Sequence, residues 1–259
     1  MNILFTICGR KGSKGIKNKN IRNFLNYPLS YYSLSAIDLF RKADVGFNID
    51  VVVNSDSIEL LSVMRKNPFF ETDEIIRDGV LGGEFVPKSA VVLDCMNRMQ
   101  DRKAIVYDVV VDLDITSPLR TVFDIRNLID THVKTGADVT TSVTGSRRNP
   151  YFNMVKRTEK GFKKVLDSDF TARQQAPEIF DMNASLYAYD PKFLKTGKGV
   201  LEGYCECIYM YDTGILDLDH ENDFELMQVI ADYLFHEKEE FRKIYENIRD
   251  LYKDVSIEA

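Results

Sequence analysis

The stretch Ile3-Leu4-Phe5-Thr6-Ile7-Cys8-Gly9-Arg10-Lys11-Gly12-Ser13-Lys14-Gly15-Ile16-Lys17-Asn18-Lys19-Asn20 passes from a short apolar segment into a loop that carries cations and no carboxylate. A β-branched and aromatic run broken by glycines reads as a buried strand ending in a loop. Gly9, Gly12 and Gly15 let the backbone turn and bring N–H groups close to a ligand, while Arg10, Lys14 and Lys19 surround that point with positive charge. At an effective dielectric near 20, one unit-charge contact at roughly 4 Å contributes about 4 kcal/mol before desolvation is subtracted. The loop therefore reads as an anion holder, with a solvated basic turn as the alternative. It is neither a standard P-loop nor a dinucleotide fingerprint, because GxxxxGK[ST] is absent and the three glycines do not give GxGxxG.

Working outward, Pro28 to Phe40 carries apolar residues at helical spacing with Pro at a plausible first helical position, and Ile49 to Val53 reads as a second strand. Asn54-Ser55-Asp56-Ser57 then leads into a helix ending near Arg65. Glu74 to Arg77 reads as a short third strand, followed by Gly79, Gly82 and Gly83 and a helix from about Lys88 to Gln100. The strongest strand is Ala104 to Asp114, expected at the centre of the sheet, and Thr121 or Asp124 opens the helix after it. Such alternation predicts an α/β fold, Rossmann-like, with a mostly parallel sheet covered on both faces and ligands at the carboxyl ends of its strands. Arg77 and Lys88 are candidate anion or base contacts at one such end, or plain surface charges. Asp112 and Asp114, two apart, share a face of an extended chain and could both point at a ligand or metal, or cap a turn.

After a strand at Asp138 to Thr144 the texture changes. Phe152 to Arg157 and Phe162 to Leu166 alternate about the turn Glu159-Lys160-Gly161, a hairpin signature. Residues 150–182 are read as an inserted element, with 1–149 and 183–259 forming a single core. A lone amphipathic hairpin buries little by itself, so it is expected to pack on a second copy in a homodimer. Strands follow at Asn183 to Tyr189 and Glu206 to Tyr211. Asp217 and Asp219 then share one face of an extended segment before a helix running to about His236. Mg²⁺ favours such hard oxygen ligands, and an acidic cluster at a helix start is the plainer alternative. The last residues, about Lys238 to Lys253, read as an exposed charged helix.

With 259 residues, 44% hydrophobic and 29% charged, the composition is that of an ordinary globular protein of one sizeable domain. No apolar run reaches the ~20 residues of a membrane span, and no secretion signal is visible at Met1. Cys8, Cys95, Cys205 and Cys207 do not make a zinc pattern and read as reduced thiols, so a cytoplasmic protein is expected. The net charge of −6 makes the basic patch at residues 10–22 a local feature, which suits a small anionic substrate better than a nucleic acid.

Several of these segments together resemble the acylneuraminate cytidylyltransferases, which make CMP-activated sialic and related nine-carbon sugar acids from CTP. Arg10-Lys11-Gly12-Ser13-Lys14-Gly15 with Lys19-Asn20 is similar to the family's R-x-x-S-K-G-x-x-x-K-N loop, and Thr116-Ser117-Pro118-Leu119-Arg120 to its T-S-P-L-R turn. Arg173-Gln174-Gln175 and Asn183 stand in its R-x-Q…N segment, and Leu216-Asp217-Leu218-Asp219 resembles its I-D-I-D motif. The resemblance implies a three-layer nucleotidyltransferase fold and attack by the sugar's anomeric hydroxyl on the α-phosphate of CTP. It assigns Arg10, Lys14 and Lys19 to the triphosphate, with Gly12, Ser13, Asn20, Arg77 and Lys88 on the nucleotide. Asp114, Ser117, Arg173, Gln174 and Asn183 fall to the sugar, and Asp217 and Asp219 to Mg²⁺. It names no general base; His220 is the only histidine near the site and reads as structural.

Two departures bear on the sugar. Asp114 stands where sialic acid enzymes have glutamine in L-Q-P-T-S-P-L-R, and Asp181-Met182-Asn183-Ala184 where they have R-P-N-G. An extra carboxylate changes hydrogen-bond polarity and repels acidic groups, which counts against plain N-acetylneuraminate. The pattern V-D-L-D-x-T-S-P-L-R with D-M-N-A resembles the branch that activates diacetamido nonulosonates such as legionaminic acid. N-acetylneuraminate, pseudaminate and Kdo are the alternative acceptors, and a non-catalytic nucleotide-binding protein is the alternative class.

Overall fold

The computed structural model describes residues 1–12, 15–43, 46–83, 85–214 and 218–255, without the side chains of 253–255. The chain opens with β1 (Asn2–Gly9), followed by the two-residue strands β2 (Asn23–Phe24) and β3 (Tyr27–Pro28) and by α1 (Leu29–Ala43). Then come β4 (Asn48–Ser55), α2 (Ile58–Arg65), β5 (Asp73–Ile76), α3 (Lys88–Lys103), β6 (Val109–Leu113), α4 (Val122–Thr135) and β7 (Val139–Gly145). The hairpin β8 (Val155–Thr158) and β9 (Gly161–Lys164) precedes β10 (Phe180–Tyr189), α5 (Pro191–Leu194), β11 (Cys205–Tyr209), α6 (Glu221–Glu237) and α7 (Glu239–Val255).

Seven strands form one sheet in the order β11-β7-β10-β6-β1-β4-β5, in which only β10 runs antiparallel to its neighbours. Period two in β1 divides its side chains between two cores. Ile3, Phe5 and Ile7 face α1, α2, α4, α6 and α7, whereas Leu4 faces α3 and α5. This is the three-layer, mostly parallel architecture expected, with β6 at the centre.

The structure differs from the sequence reading in bounds and in burial: β10 begins at Phe180, ahead of the expected Asn183, and β11 ends at Tyr209 rather than Tyr211. β6 begins at Val109 rather than Ala104, because Ala104 closes α3 in a left-handed conformation (φ 54°). The Asp108 carboxylate then accepts from the Asn2 N–H at 2.7 Å and sets the register. Nor is the last helix an exposed charged one: Phe241, Ile244 and Ile248 are buried, and Ser35 of α1 donates to the Ile244 carbonyl at 2.8 Å. The read hairpin is present, in its own two-stranded sheet, with Val155 and Phe162 exposed.

β10 is irregular between Met182 and Tyr187, where its pairing with β7 shifts register, and Ala184 sits there at φ 51°. The left-handed region costs a residue with a Cβ roughly 1 kcal/mol or more. Ala184→Gly should therefore raise the urea midpoint, by an equivalent of about 0.5–1 kcal/mol; a lowered midpoint would show that the alanine is unstrained there.

Candidate active site

β1, β4, β5 and β6 run parallel, so their carboxyl ends share one edge of the sheet. A cleft of about 370 Å³ is lined from these ends by Cys8, Gly9, Arg10, Lys19 and Asn20, by Arg77 and Lys88, by Asp114 and Thr116, and by Asp219. Residues two hundred positions apart in sequence thus line one cavity. The basic loop is tied down by its neighbours: the Lys11 N–H donates to Asp56 Oδ1 at 2.5 Å, and Asn20 Nδ2 to the Arg10 carbonyl at 3.2 Å. Gly12, at φ 79°, lines a smaller recess on the α2 side. Ser13 and Lys14 lie outside the described residues.

Glycine at position 15 is dictated by an approach of two backbones. A Cβ there would lie 1.7 Å from the Asp219 carbonyl oxygen, so the loop rests directly on the acidic segment. Lys19 reinforces this contact, donating to the Leu218 carbonyl with its ammonium 3.8 Å from Asp219 Oδ1. Arg22 adds an ion pair with Glu221. Asp223 accepts from the N–H groups of Asp219 and His220 at 3.2 and 2.8 Å, so it closes the start of α6 and leaves the Asp219 side chain 67% exposed. Asp217 lies outside the described residues. Among those described, no three His, Cys, Asp or Glu side chains converge as a metal cluster.

On the opposite wall, Arg77 is held by Asn54, Nε donating to Oδ1 at 2.7 Å. Lys88 is held more tightly still. Its ammonium lies 2.7 Å from Asp112 Oδ2 and 2.8 Å from Asp114 Oδ2, and Asp112 in turn accepts from Thr6 Oγ1 at 2.7 Å. Asp114 Oδ1 accepts from the Thr116 N–H and hydroxyl at 2.9 and 2.7 Å. Burial alone would raise the Asp114 pKa, but the Lys88 ammonium and these hydrogen bonds outweigh it and leave the pKa at about 2. Burial likewise opposes the charge on Lys88, and the two carboxylates overcome it, holding the ammonium pKa well above its usual value. The shared face of Asp112 and Asp114 is thus present, but what it grips is Lys88. Asp114 repels acidic groups less than an unpaired carboxylate would, and Lys88 brings little uncompensated positive charge to the cleft.

Behind this wall the fully buried Arg120 donates to Ser33 Oγ at 2.7 Å, to Ser185 Oγ at 3.2 Å, and to the carbonyls of Asp114 and Ser117. Burial lowers its pKa to about 10, and it fixes the turn Thr116 to Arg120 against α1 and β10. Ser117 and Asn183 line a separate small recess, where Asn183 Oδ1 accepts from Ser142 Oγ at 2.5 Å. Arg173 and Gln174 line a third cleft, beside Ser146 and Pro177, and Arg173 donates to the Ser146 carbonyl at 3.2 Å. Of the residues assigned to the sugar, only Asp114 lines the main cleft. Asn54 and Asp56 hold Arg77 and the loop; in the sequence they stand only as the entry to a helix, and their place at a strand's carboxyl end is the available signal.

No family model matches the chain. Whole proteins do. The chain is 31% identical over 234 residues to the CMP-N,N′-diacetyllegionaminic acid synthase of Campylobacter jejuni, an alignment spanning 88% of this chain and 94% of that one. It belongs to the acylneuraminate cytidylyltransferase family. The post-translational flagellin modification protein B of Campylobacter coli matches to the same extent, 31% over 234 residues and the same shares of both chains. Among solved structures, a CMP:2-keto-3-deoxy-manno-octonic acid synthetase complexed with CTP superposes with a TM-score of 0.65 over 90% of this chain and 99% of its own, at 13% identity. That likeness is one of fold. As a member of the cytidylyltransferase family the chain is a nucleotidyltransferase, and the cleft at its strand ends is the candidate active site.

Proposed function

We propose that the chain transfers CMP from CTP to the anomeric hydroxyl of a nine-carbon 2-keto sugar acid of the legionaminic type, releasing pyrophosphate. The observation that carries this reading is the shared cleft, in which the basic loop, Arg77 and Asp219 line one cavity, in a chain whose relative is named for diacetyllegionaminic acid. In the reaction the anomeric oxygen forms a bond to the α-phosphorus, the bond from that phosphorus to the bridging oxygen breaks, and its electron pair leaves with pyrophosphate. The hydroxyl proton passes to solvent. Such transfer depends on positioning and charge stabilisation rather than on a protein nucleophile.

Arg10 and Lys19 are assigned to the phosphate oxygens, where negative charge grows on the leaving group, with Lys14, Ser13 and the loop N–H groups beside them. Gly12 and Asn20 shape that loop, and Arg77 is assigned to the nucleotide. The exposed Asp219 carboxylate beside the loop suits a hard divalent cation held by one or two carboxylates plus substrate phosphates, and Asp217 is assigned to the same ion. Bound there, Mg²⁺ would neutralise phosphate charge and polarise the α-phosphate. The exposed Val155 and Phe162 of the hairpin suit packing against a second copy, and Arg173, which follows the hairpin, is assigned with Gln174 to a site completed by that copy. The four free thiols suit a reducing cytoplasm. No helix among the described residues is long and apolar enough to cross a membrane.

A pyrophosphate-release assay tests the reading. Turnover should require CTP and a nonulosonic acid together, fall sharply with UTP or ATP, and be lost with chelator and regained with Mg²⁺. Pyrophosphate released without the sugar acid, or CTP bound with no release for any acceptor, would contradict it.

A further inference from the structure

Two cations stand on the wall of the main cleft opposite the basic loop, and they differ in what balances them. Lys88 lies 2.7 Å from Asp112 and 2.8 Å from Asp114, so its charge is more than matched. Arg77 is only 9% exposed, yet it has no ion pair among the described residues. Its partners are neutral: Nε donates to Asn54 Oδ1 at 2.7 Å and Nη2 to the Asn54 carbonyl at 3.2 Å, while its backbone N–H donates to the Ser55 carbonyl at 2.9 Å. Asn54, at the carboxyl end of β4, thus grips one edge of the guanidinium. Nη1 is left unengaged among the described residues, on a side chain that lines the cleft.

This grip has a cost. Asn54 is fully buried, and its Nδ2 finds no hydrogen-bond partner among the described residues. The amide cannot be turned round, because Arg77 only donates and must face an oxygen. A buried donor without a partner is destabilising. Aspartate has the same shape, would meet Nε with a charge-assisted bond, and has no N–H to orphan. What it would change is the charge, cancelling that of Arg77 as Asp112 and Asp114 cancel that of Lys88. Asparagine is therefore the poorer clamp for folding and the better one for keeping a cation uncompensated.

We propose that Asn54 is a positioning residue for nucleotide binding, holding Arg77 in place without neutralising it, so that Arg77 rather than Lys88 presents unbalanced positive charge to the nucleotide. Asn54 acts only through Arg77, and the inference rests on the reading that CTP occupies the main cleft.

The test compares melting temperature with CTP affinity, the latter as KM and as Kd by calorimetry without sugar acid. Asn54→Asp should melt no earlier than the parent and yet weaken CTP binding by about tenfold or more, with kcat at saturating CTP changed by less than about threefold. Asn54→Ala, which removes the acceptor and adds no charge, should melt earlier and also weaken CTP binding. In an Arg77→Met background neither substitution should weaken it further. A purely structural asparagine would leave CTP affinity untouched in the folded Asp variant. Unchanged affinity in both variants, or losses that simply add to that of Arg77→Met, would overturn the role of Asn54 while leaving cytidylyl transfer intact. Failure of the wild-type enzyme to bind CTP would overturn both.

Discussion

Arg10→Ala should lower kcat for CMP transfer by roughly 10²–10³-fold, the loss typical of removing one preorganised charge contact from a developing anion. Arg10 is exposed at the mouth of the loop and lines the main cleft. Its side chain can be removed without opening a core, so the melting temperature should stay close to that of the parent. If the guanidinium acts on charge that grows in the transition state, kcat falls more than the affinity for CTP; if it only anchors ground-state triphosphate, KM rises and kcat holds. Near-normal turnover would remove Arg10 from the machinery altogether.

Gly15→Ala is the sharper test of geometry. The added carbon would lie 1.7 Å from the Asp219 carbonyl oxygen and 2.9 Å from its carbon. Both partners are backbone and neither has a rotamer to give, so the loop and the acidic segment must separate. A displacement near 1 Å can cost about 10² in rate, and overpacking of this kind destabilises by about 1–3 kcal/mol. The expected variant is folded, melts earlier, and has lost most activity even at saturating CTP and Mg²⁺. An active Gly15→Ala enzyme would mean that contact between Gly15 and Asp219 is not part of the working site.

The contrast between these positions shows what the sequence discloses. The strand and loop at residues 3–20 were legible because both signals are local: an apolar run of strand length, then glycines among cations. The parallel alternation was legible for the same reason, down to the central place of β6. The seat of Gly15 was not, since it depends on Asp219, two hundred residues away. Lys88 is the clearest case. As a basic residue after a glycine-bearing segment it reads as an anion contact, and only the fold places it between Asp112 and Asp114, where its charge is already matched. The final helix misled for a related reason: its charged residues dominate its composition, while Phe241, Ile244 and Ile248, which decide its packing, lie three and four apart on one face.

The central claim is that this cleft joins CMP to a sugar acid through the sugar's own oxygen. The most direct measurement is the mass of the product formed from CTP and a diacetamido nonulosonate labelled with ¹⁸O at the anomeric hydroxyl. The label should appear in a CMP-sugar, with one pyrophosphate released per product. Unlabelled CMP with pyrophosphate, the signature of hydrolysis by water, or a sugar phosphate in place of a CMP-sugar, would contradict the account.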